Sequence, residues 1–269
     1  MIEFGAEMSI RKQAELLNFE RTSLYYKPVL NDDSATANLI RDAYLSSDCR
    51  YGYRKITAVL HNQGNIVNRK KILRIMHEMG IQGIYPKKRI KTTFTGKENK
   101  IYPYLLKDLK IERANHVWAT DITYIKMNGY FMYFIAIIDL YSRYIIGYDL
   151  SNSLEASFCI RALIESFENG MPEIFNTDQG SQFTDNDFVK ELNDRRVKIS
   201  MDHTGRCFDN IFVERLWRTL KQEAIYYYRP ESIVALEECL KKFVFWYNNE
   251  RLHQSLKYKT PADIYFARN

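Results

Sequence analysis

Three acidic residues stand in settings that ordinary surface acids do not occupy. Asp121 lies in Trp118-Ala119-Thr120-Asp121-Ile122-Thr123-Tyr124, and Asp178 lies in Asn176-Thr177-Asp178-Gln179-Gly180-Ser181-Gln182-Phe183. Glu214 lies in Asp209-Asn210-Ile211-Phe212-Val213-Glu214-Arg215-Leu216-Trp217-Arg218. Two aspartates and one glutamate from separate elements offer hard oxygen donors, which select Mg²⁺ or Mn²⁺ over zinc or copper. Two such ions activate a water or a 3′-hydroxyl on one side of a phosphodiester and stabilise the leaving 3′-oxygen on the other. The expected chemistry is therefore metal-assisted breaking and joining of polynucleotide strands. Acids alone prove little, because 22 Asp and Glu fall between residues 111 and 269. Bland roles exist for each: a strand-edge acid for Asp121, a turn former for Asp178, and an (i, i+4) ion pair with Arg218 for Glu214.

The elements that must position these residues can be read from periodicity. Trp118–Lys126, Phe131–Leu140 and Arg143–Leu150 are rich in Ile, Tyr, Phe and Thr, with Asn128-Gly129 and Tyr141-Ser142 between them, which predicts an antiparallel meander. A helix from Leu154 to Phe167, a strand from Glu173 to Thr177, a helix from Asp185 to Asn193 and a strand from Val197 to Met201 follow. A long helix then starts after Asp209-Asn210 and runs to about Tyr226. The order βββαβαβα is that of a ribonuclease-H-like α/β fold, a mixed sheet with helices on its faces. Asp121 then falls inside a core strand, where a carboxylate costs several kcal/mol unless it is paired or metal-bound. Asp178 follows a short apolar strand and meets Gln179-Gly180, where glycine permits a sharp turn at the strand's carboxyl end. On the long helix, Asn210, Glu214, Arg218 and Lys221 share a narrow arc, while Val213, Leu216, Leu220 and Ala224 form an apolar stripe.

Upstream the chain reads as helical. Ser9–Leu17 and Arg21–Tyr26 predict two short helices with a tight turn, a helix-turn-helix pattern. Helices are predicted over Ala35–Ser46, Lys55–Asn62 and Asn68–Met79, the last with Ile72, Ile75, Met76 and Met79 as its core stripe and Asn68 as its N-cap. Arg54, Arg69, Lys70 and Lys71 are the expected DNA contacts of this region, and Lys87, Lys88 and Arg89 those of a basic linker. The predicted division is a helical helix-turn-helix region over 1–83, the linker over 84–110, a catalytic core over 111–228, and a C-terminal helix and tail over 229–269.

Composition agrees with this division. Residues 1–110 carry 20 Lys and Arg against 11 Asp and Glu, a net of +9, and residues 111–269 carry 19 against 22, a net of −3. A basic half joined to an acidic half points to nucleic-acid attachment beside a metal-binding body. The longest apolar run, Tyr130 to Ile138, is far short of the roughly 20 residues a membrane span needs. Met1–Glu7 lacks the basic and apolar regions of a secretory signal. Cys49, Cys159, Cys207 and Cys239 are scattered, which predicts reduced thiols in a cytoplasmic protein and neither a disulfide framework nor a zinc site.

These motifs together resemble a known family. Trp118-x-x-Asp121-x-Thr123-Tyr124, Asp178-x-Gly180-x-Gln182-Phe183, the 35 residues between Asp178 and Glu214, and Lys221 seven residues beyond Glu214 are similar to the catalytic, reading-frame-B transposases of the insertion-sequence-three family. Their core is similar to that of retroviral integrases. Tyr51-Gly52-Tyr53-Arg54 to Lys71 and Tyr247-Asn248-x-x-Arg251-x-His253-x-x-Leu256-x-x-x-Thr260-Pro261 extend the likeness over almost the whole chain. The resemblance implies that Asp121, Asp178 and Glu214 are the catalytic metal ligands for two Mg²⁺ or Mn²⁺ ions. It implies that Lys221, with Arg218, contacts DNA near the reacting end, and that Asn210 and Gln182 line the site. The implied partners are the element's terminal repeats, target DNA, further copies of the chain in a multimer, and an upstream-frame DNA-binding protein fused by ribosomal frameshifting. A circular intermediate is implied in the same way, and localisation at the bacterial nucleoid is expected. Ile211-Phe212-Val213 departs from the family's commoner Ala-containing run, and Asn176-Thr177 replaces a frequent His-Ser. Two other readings fit the same residues: a hydrolytic ribonuclease-H-like nuclease, and a DNA-binding regulator with an inactive core.

Overall fold

A computed structural model describes residues 2–5, 7–25, 32–84, 102–202 and 211–267. A five-stranded sheet forms its centre. Strands β1 (Val117–Lys126), β2 (Phe131–Asp139) and β3 (Ile145–Ser151) run as an antiparallel meander, and β4 (Ile174–Thr177) and β5 (Lys198–Met201) add in parallel beside β1. The spatial order is β3-β2-β1-β4-β5. Both faces are covered, so the strands bury residues of both parities. Val117, Ala119, Ile125, Phe134, Ala136 and Ile138 join one core, whereas Trp118, Ile135, Ile137 and Phe175 join the other.

Helices seal the two faces. Alongside Trp118 and Ile135 lie Phe158, Ala162 and Leu163 from one helix and Phe188 and Leu192 from another. These are α5 (Ala156–Ser166) and α6 (Asn186–Asp194), and Asp185 caps the second by accepting from the backbone N–H groups of Asp187 and Phe188. The opposite face packs on α7 (Ile211–Leu220) through Val213, Leu216, Trp217 and Leu220, and on α9 (Ile233–Asn249) through Leu236, Leu240, Phe243 and Tyr247. Helix α7 does not run on as one α-helix to Tyr226. A π-helical turn over Lys221–Ile225 interrupts it before a last turn, α8 (Tyr226–Tyr228).

The helical region has its own core. Helix α1 (Ile10–Leu16) forms within the predicted Ser9–Leu17 and is capped by Ser9, but Arg21–Tyr25 forms only a 3₁₀ turn. Helices α2 (Ser34–Ser46), α3 (Tyr53–Asn62) and α4 (Arg69–Glu78) bury Ile40, Ala43, Ile56, Leu60, Ile72, Ile75 and Met76 together. Gly83 packs its backbone against that of Gly52 in the Tyr51-Gly52-Tyr53 motif. A Cβ on Gly83 would lie 2.5 Å from the Gly52 nitrogen, so two backbones meet where no side chain fits.

This bundle docks on the C-terminal part of the chain. Trp246 and Leu252 pack against its core. The Arg50 guanidinium lies 4.2 Å from the Trp246 ring centroid and donates to the Tyr228 hydroxyl at 2.6 Å. The Tyr51 hydroxyl accepts from the Leu252 N–H at 3.3 Å. Beyond α9 the Tyr247–Pro261 motif folds onto the core. Asn248 brackets the Ile145 backbone with two bonds of 2.9 Å, and Thr260 and Asp263 form a capping box at the start of α10 (Pro261–Tyr265). Residues 102–109, expected as linker, also lie on the sheet, with Leu106 buried in its core and the Leu105 N–H donating to Ser200 Oγ at 3.0 Å.

Candidate active site

The sheet register assembles two of the three carboxylates. The parallel pairs of β1 and β4 are Val117 with Ile174, Trp118 with Phe175 and Ala119 with Asn176. Two steps further, the same offset sets Asp178 beside Asp121, just past the last bonded pair. Adjacent strands lie about 4.8 Å apart, so the two acids meet where β1 and β4 part company. Chain direction also reverses here, with the meander to one side of β1 and the parallel strands to the other. Such a switch at strand carboxyl ends is where open α/β sheets place their sites.

Asp121 shares parity with Val117 and Ala119 and therefore faces α7. The Trp217 indole N–H donates to Asp121 Oδ2 at 2.8 Å, and the Ile122 N–H donates to Oδ1 at 2.8 Å. Burial still pushes this carboxyl up to about 7, and the charges of Asp178 and, more weakly, Glu214 act in the same direction. Asp178 is also pushed up by burial, against a 2.9 Å bond from the Gly180 N–H. Gly180 is not in the left-handed region. It is glycine for a different reason, since a Cβ there would lie 2.9 Å from the Asp178 carboxylate and 3.3 Å from Gln182 Oε1.

Glu214 stands in the first turn of α7 and is exposed. The expected faces of this helix hold: Val213, Leu216, Leu220 and Ala224 are buried, while Glu214 and Arg218 are exposed and do not pair with each other. Among the described residues, no three His, Cys, Asp or Glu side chains are gathered tightly enough to hold a metal ion. The arrangement is two half-buried carboxylates side by side, with a third acid close enough to act on the first through its charge. The donor chemistry fits a hard divalent cation. The groups that shift Asp121 and Asp178 include no positive charge, and a cation would relieve both their burial and their mutual repulsion.

The other predicted residues are scattered around this centre. Gln182 donates to the Leu154 carbonyl at 3.0 Å, Arg218 is one turn beyond Glu214, and Lys221 sits in the π-helical turn. Arg69 and Lys70 are exposed at the start of α4, and Arg54 is exposed on α3, where it lies beside the Tyr53 ring and hydroxyl. Lys71 and Arg74 are both ion-paired to Asp33, so Lys71 is shared with a structural contact. Asn210, Lys87, Lys88 and Arg89 lie outside the described residues. Trp217 was not foreseen. The available signal was an indole three residues after Glu214 on an amphipathic helix, whose N–H must find an acceptor when buried.

Sequence and fold comparisons agree with this geometry. Integrase core domain models match residues 111–207 and 195–261, and an HTH-like domain model matches 31–89, the stretch that holds α2, α3 and α4. The chain is 32% identical over 220 residues to the transposase for insertion sequence element IS904 of Lactococcus lactis subsp. lactis (strain IL1403), covering 80% of this chain and 87% of the relative. It is 30% identical over 228 residues to the InsK protein of insertion sequence element IS150 of Escherichia coli (strain K12), covering 83% and 80%. In fold, it matches the HTLV-2 integrase catalytic core domain in complex with magnesium with a TM-score of 0.50 at 20% identity, over 59% of this chain and all of that one. With the helical module, the sheet and the matched relatives all in agreement, the chain belongs to the bacterial insertion-sequence transposases with an integrase-type core.

Proposed function

We propose that the protein is a DNA transposase that cuts at the ends of its insertion sequence and joins the freed 3′-hydroxyl to target DNA by transesterification. Asp121, Asp178 and Glu214 are its catalytic residues and its metal ligands, for two Mg²⁺ or Mn²⁺ ions. The observation that carries this reading is the parallel register that puts Asp178 beside Asp121, with α7 and Glu214 over the same face. Bound divalent ions supply an activated oxygen nucleophile and neutralise charge at the leaving 3′-oxygen. The chain's own contribution is positional. Trp217 and the Ile122 N–H fix Asp121, and the Gly180 N–H fixes Asp178. Arg218 and Lys221 extend the α7 face as phosphate contacts, joined by Asn210 and Gln182 at the site. Arg54, Arg69, Lys70, Lys71, Lys87, Lys88 and Arg89 hold DNA further out. Two ends must be brought together, so the working form is a multimer on DNA, with an upstream-frame partner as a further component.

Strand transfer in vitro tests the proposal, using oligonucleotides from the ends of the surrounding element with Mg²⁺, Mn²⁺ or EDTA. The expected result is metal-dependent joined product that falls by at least about 100-fold in Asp178→Ala, the scale of losing one group that stabilises transition-state charge, while DNA affinity persists. Undiminished joining by Asp178→Ala would sink the assignment. Cleavage without joining by the wild type would favour the hydrolytic nuclease.

A further inference from the structure

A second feature lies apart from the carboxylates, and of the side chains around it only Arg218 has been given a role above. A cavity of about 600 Å³ opens where three parts of the chain meet. Its lining includes Lys55 from α3, Arg143 from the turn between β2 and β3, Arg215 and Arg218 from α7, and Arg251 from the segment after α9. Glu223 is the carboxylate of this lining, and Arg251 occupies both its oxygens at 2.9 and 2.7 Å. Among the described residues, four basic side chains therefore face the cavity, three of them guanidiniums that keep their charge at neutral pH, with no further carboxylate in its lining to balance them.

Arg143 is the most telling of the four. Its guanidinium carbon lies 3.5 Å from the Phe212 ring centroid, and one terminal nitrogen is sealed from solvent without a hydrogen-bond partner. The turn that presents it is stiff. Arg143 holds a left-handed φ of 66°, its N–H donates to the Asp139 carbonyl at 2.9 Å, and Ser142 donates twice to the Asp139 carboxylate. Burial pushes Arg143 down to about 10, and neighbouring Arg215 adds repulsion. Burial pushes Lys55 down to about 7, and Arg251 adds to that. His253 is pushed down to about 2, first by burial and then by Arg251, Lys55 and Arg143, so it stays neutral and leaves the cationic balance unchanged. Like charges packed in a partly closed cavity call for an anion.

The shape of the site selects among anions. Guanidinium forks match phosphate oxygens in pairs. Arg218 is one helical turn, about 6 Å, beyond Glu214, and Lys55 belongs to the HTH-like region, so the cavity lies between the two. Phe212, part of the Ile211-Phe212-Val213 departure, serves as the platform beneath Arg143. We infer that this cavity grips consecutive phosphates of a DNA strand running from the helical region to the carboxylate site, with Lys55, Arg143, Arg215 and Arg218 as its contacts. The inference rests on the DNA-acting function proposed above.

The full-length chain tests it by fluorescence anisotropy with a labelled duplex from the element's end, titrated over a range of KCl. Arg215→Gln and the double variant Arg143→Gln/Arg215→Gln are compared with Lys190→Gln, an exposed control on α6. Arg215 is itself exposed, so its replacement leaves folding intact even where the loss of Arg143 does not. The expected result is affinity lower by about 10-fold or more and a salt slope reduced by about 0.9 for each phosphate no longer neutralised, with the control unchanged. Wild-type binding with an unaltered slope in Arg215→Gln overturns the cavity assignment and leaves the transposase reading standing. Absence of any salt-dependent DNA binding by the wild type overturns both. Inorganic pyrophosphate that raises the Tm of the wild type but not of Arg215→Gln, with DNA affinity equal in the two, overturns the strand assignment in favour of a small-anion site.

Discussion

Asp121 holds a position that resists its own charge. Its carboxyl sits at about 7 in the folded chain against an ordinary 3.8, through burial first and the charge of Asp178 second. A raised carboxyl keeps a proton that the unfolded chain has already released. Its favourable contribution is complete below about pH 4 and is lost as the pH climbs through 7. At pH 8 the metal-free protein therefore bears a penalty of at most about 4 kcal/mol from this residue. Asp121→Asn should be more stable than the wild type at pH 8 in chelator, and the gap should close towards pH 4. Urea denaturation at several pH values measures this, and a gap independent of pH would contradict it. The acids were legible in the sequence from their settings: Asp121 inside an apolar strand, Asp178 at a strand's end before Gln179-Gly180, and Glu214 on the polar arc of an amphipathic helix. Trp217 was not, because an indole on an apolar helix face looks like core. The pairing of Lys71 with Asp33 was hidden for another reason: the partners are far apart in sequence, so Lys71 read as a DNA contact alongside Arg69 and Lys70.

At the scale of elements, the order βββαβαβα followed from period and punctuation, and most ends differ from expectation by one or two residues. The role of Gly180 could not be inferred in this way. In sequence it suggests a sharp turn, whereas the structure needs it for the space beside Asp178. Gly180→Ala would push a methyl against the carboxylate in an ordinary backbone conformation. Strand transfer is expected to fall by about 10-fold or more, since a displacement near 1 Å is costly at a reacting centre, with unfolding changed by less than about 1 kcal/mol. Full activity with an unshifted Mn²⁺ dependence would show that the loop yields freely. The π-helical turn at Lys221–Ile225 was equally hidden, because the apolar stripe through Leu216, Leu220 and Ala224 continues at ordinary helical spacing.

For the whole molecule, the charge division was plain in composition, but the docking of the helical region was not. It depends on Trp246 and Leu252 meeting residues some 200 positions earlier. The Glu223–Arg251 pair sits at this junction, with both side chains mostly buried at 16% and 12% exposure. Glu223 is held below its ordinary range by Arg251, against the effect of burial. Glu223→Gln would leave Arg251 uncompensated beside Lys55 and Arg143, at a cost of about 3–5 kcal/mol. Thermal unfolding should show it, and the double variant Glu223→Gln/Arg251→Met should recover part of the loss. A single variant as stable as the wild type would mean that solvent screens the pair.

The bond from the Trp217 indole to Asp121 makes the site optically audible. The chain has three tryptophans, and this one alone shares a hydrogen bond with a carboxylate of the site. Charge withdrawn from Asp121 changes the electric field along that indole, and with it the colour and yield of its emission. The protein thus carries its own fluorophore at the site, reporting without a label on whatever the carboxylate holds.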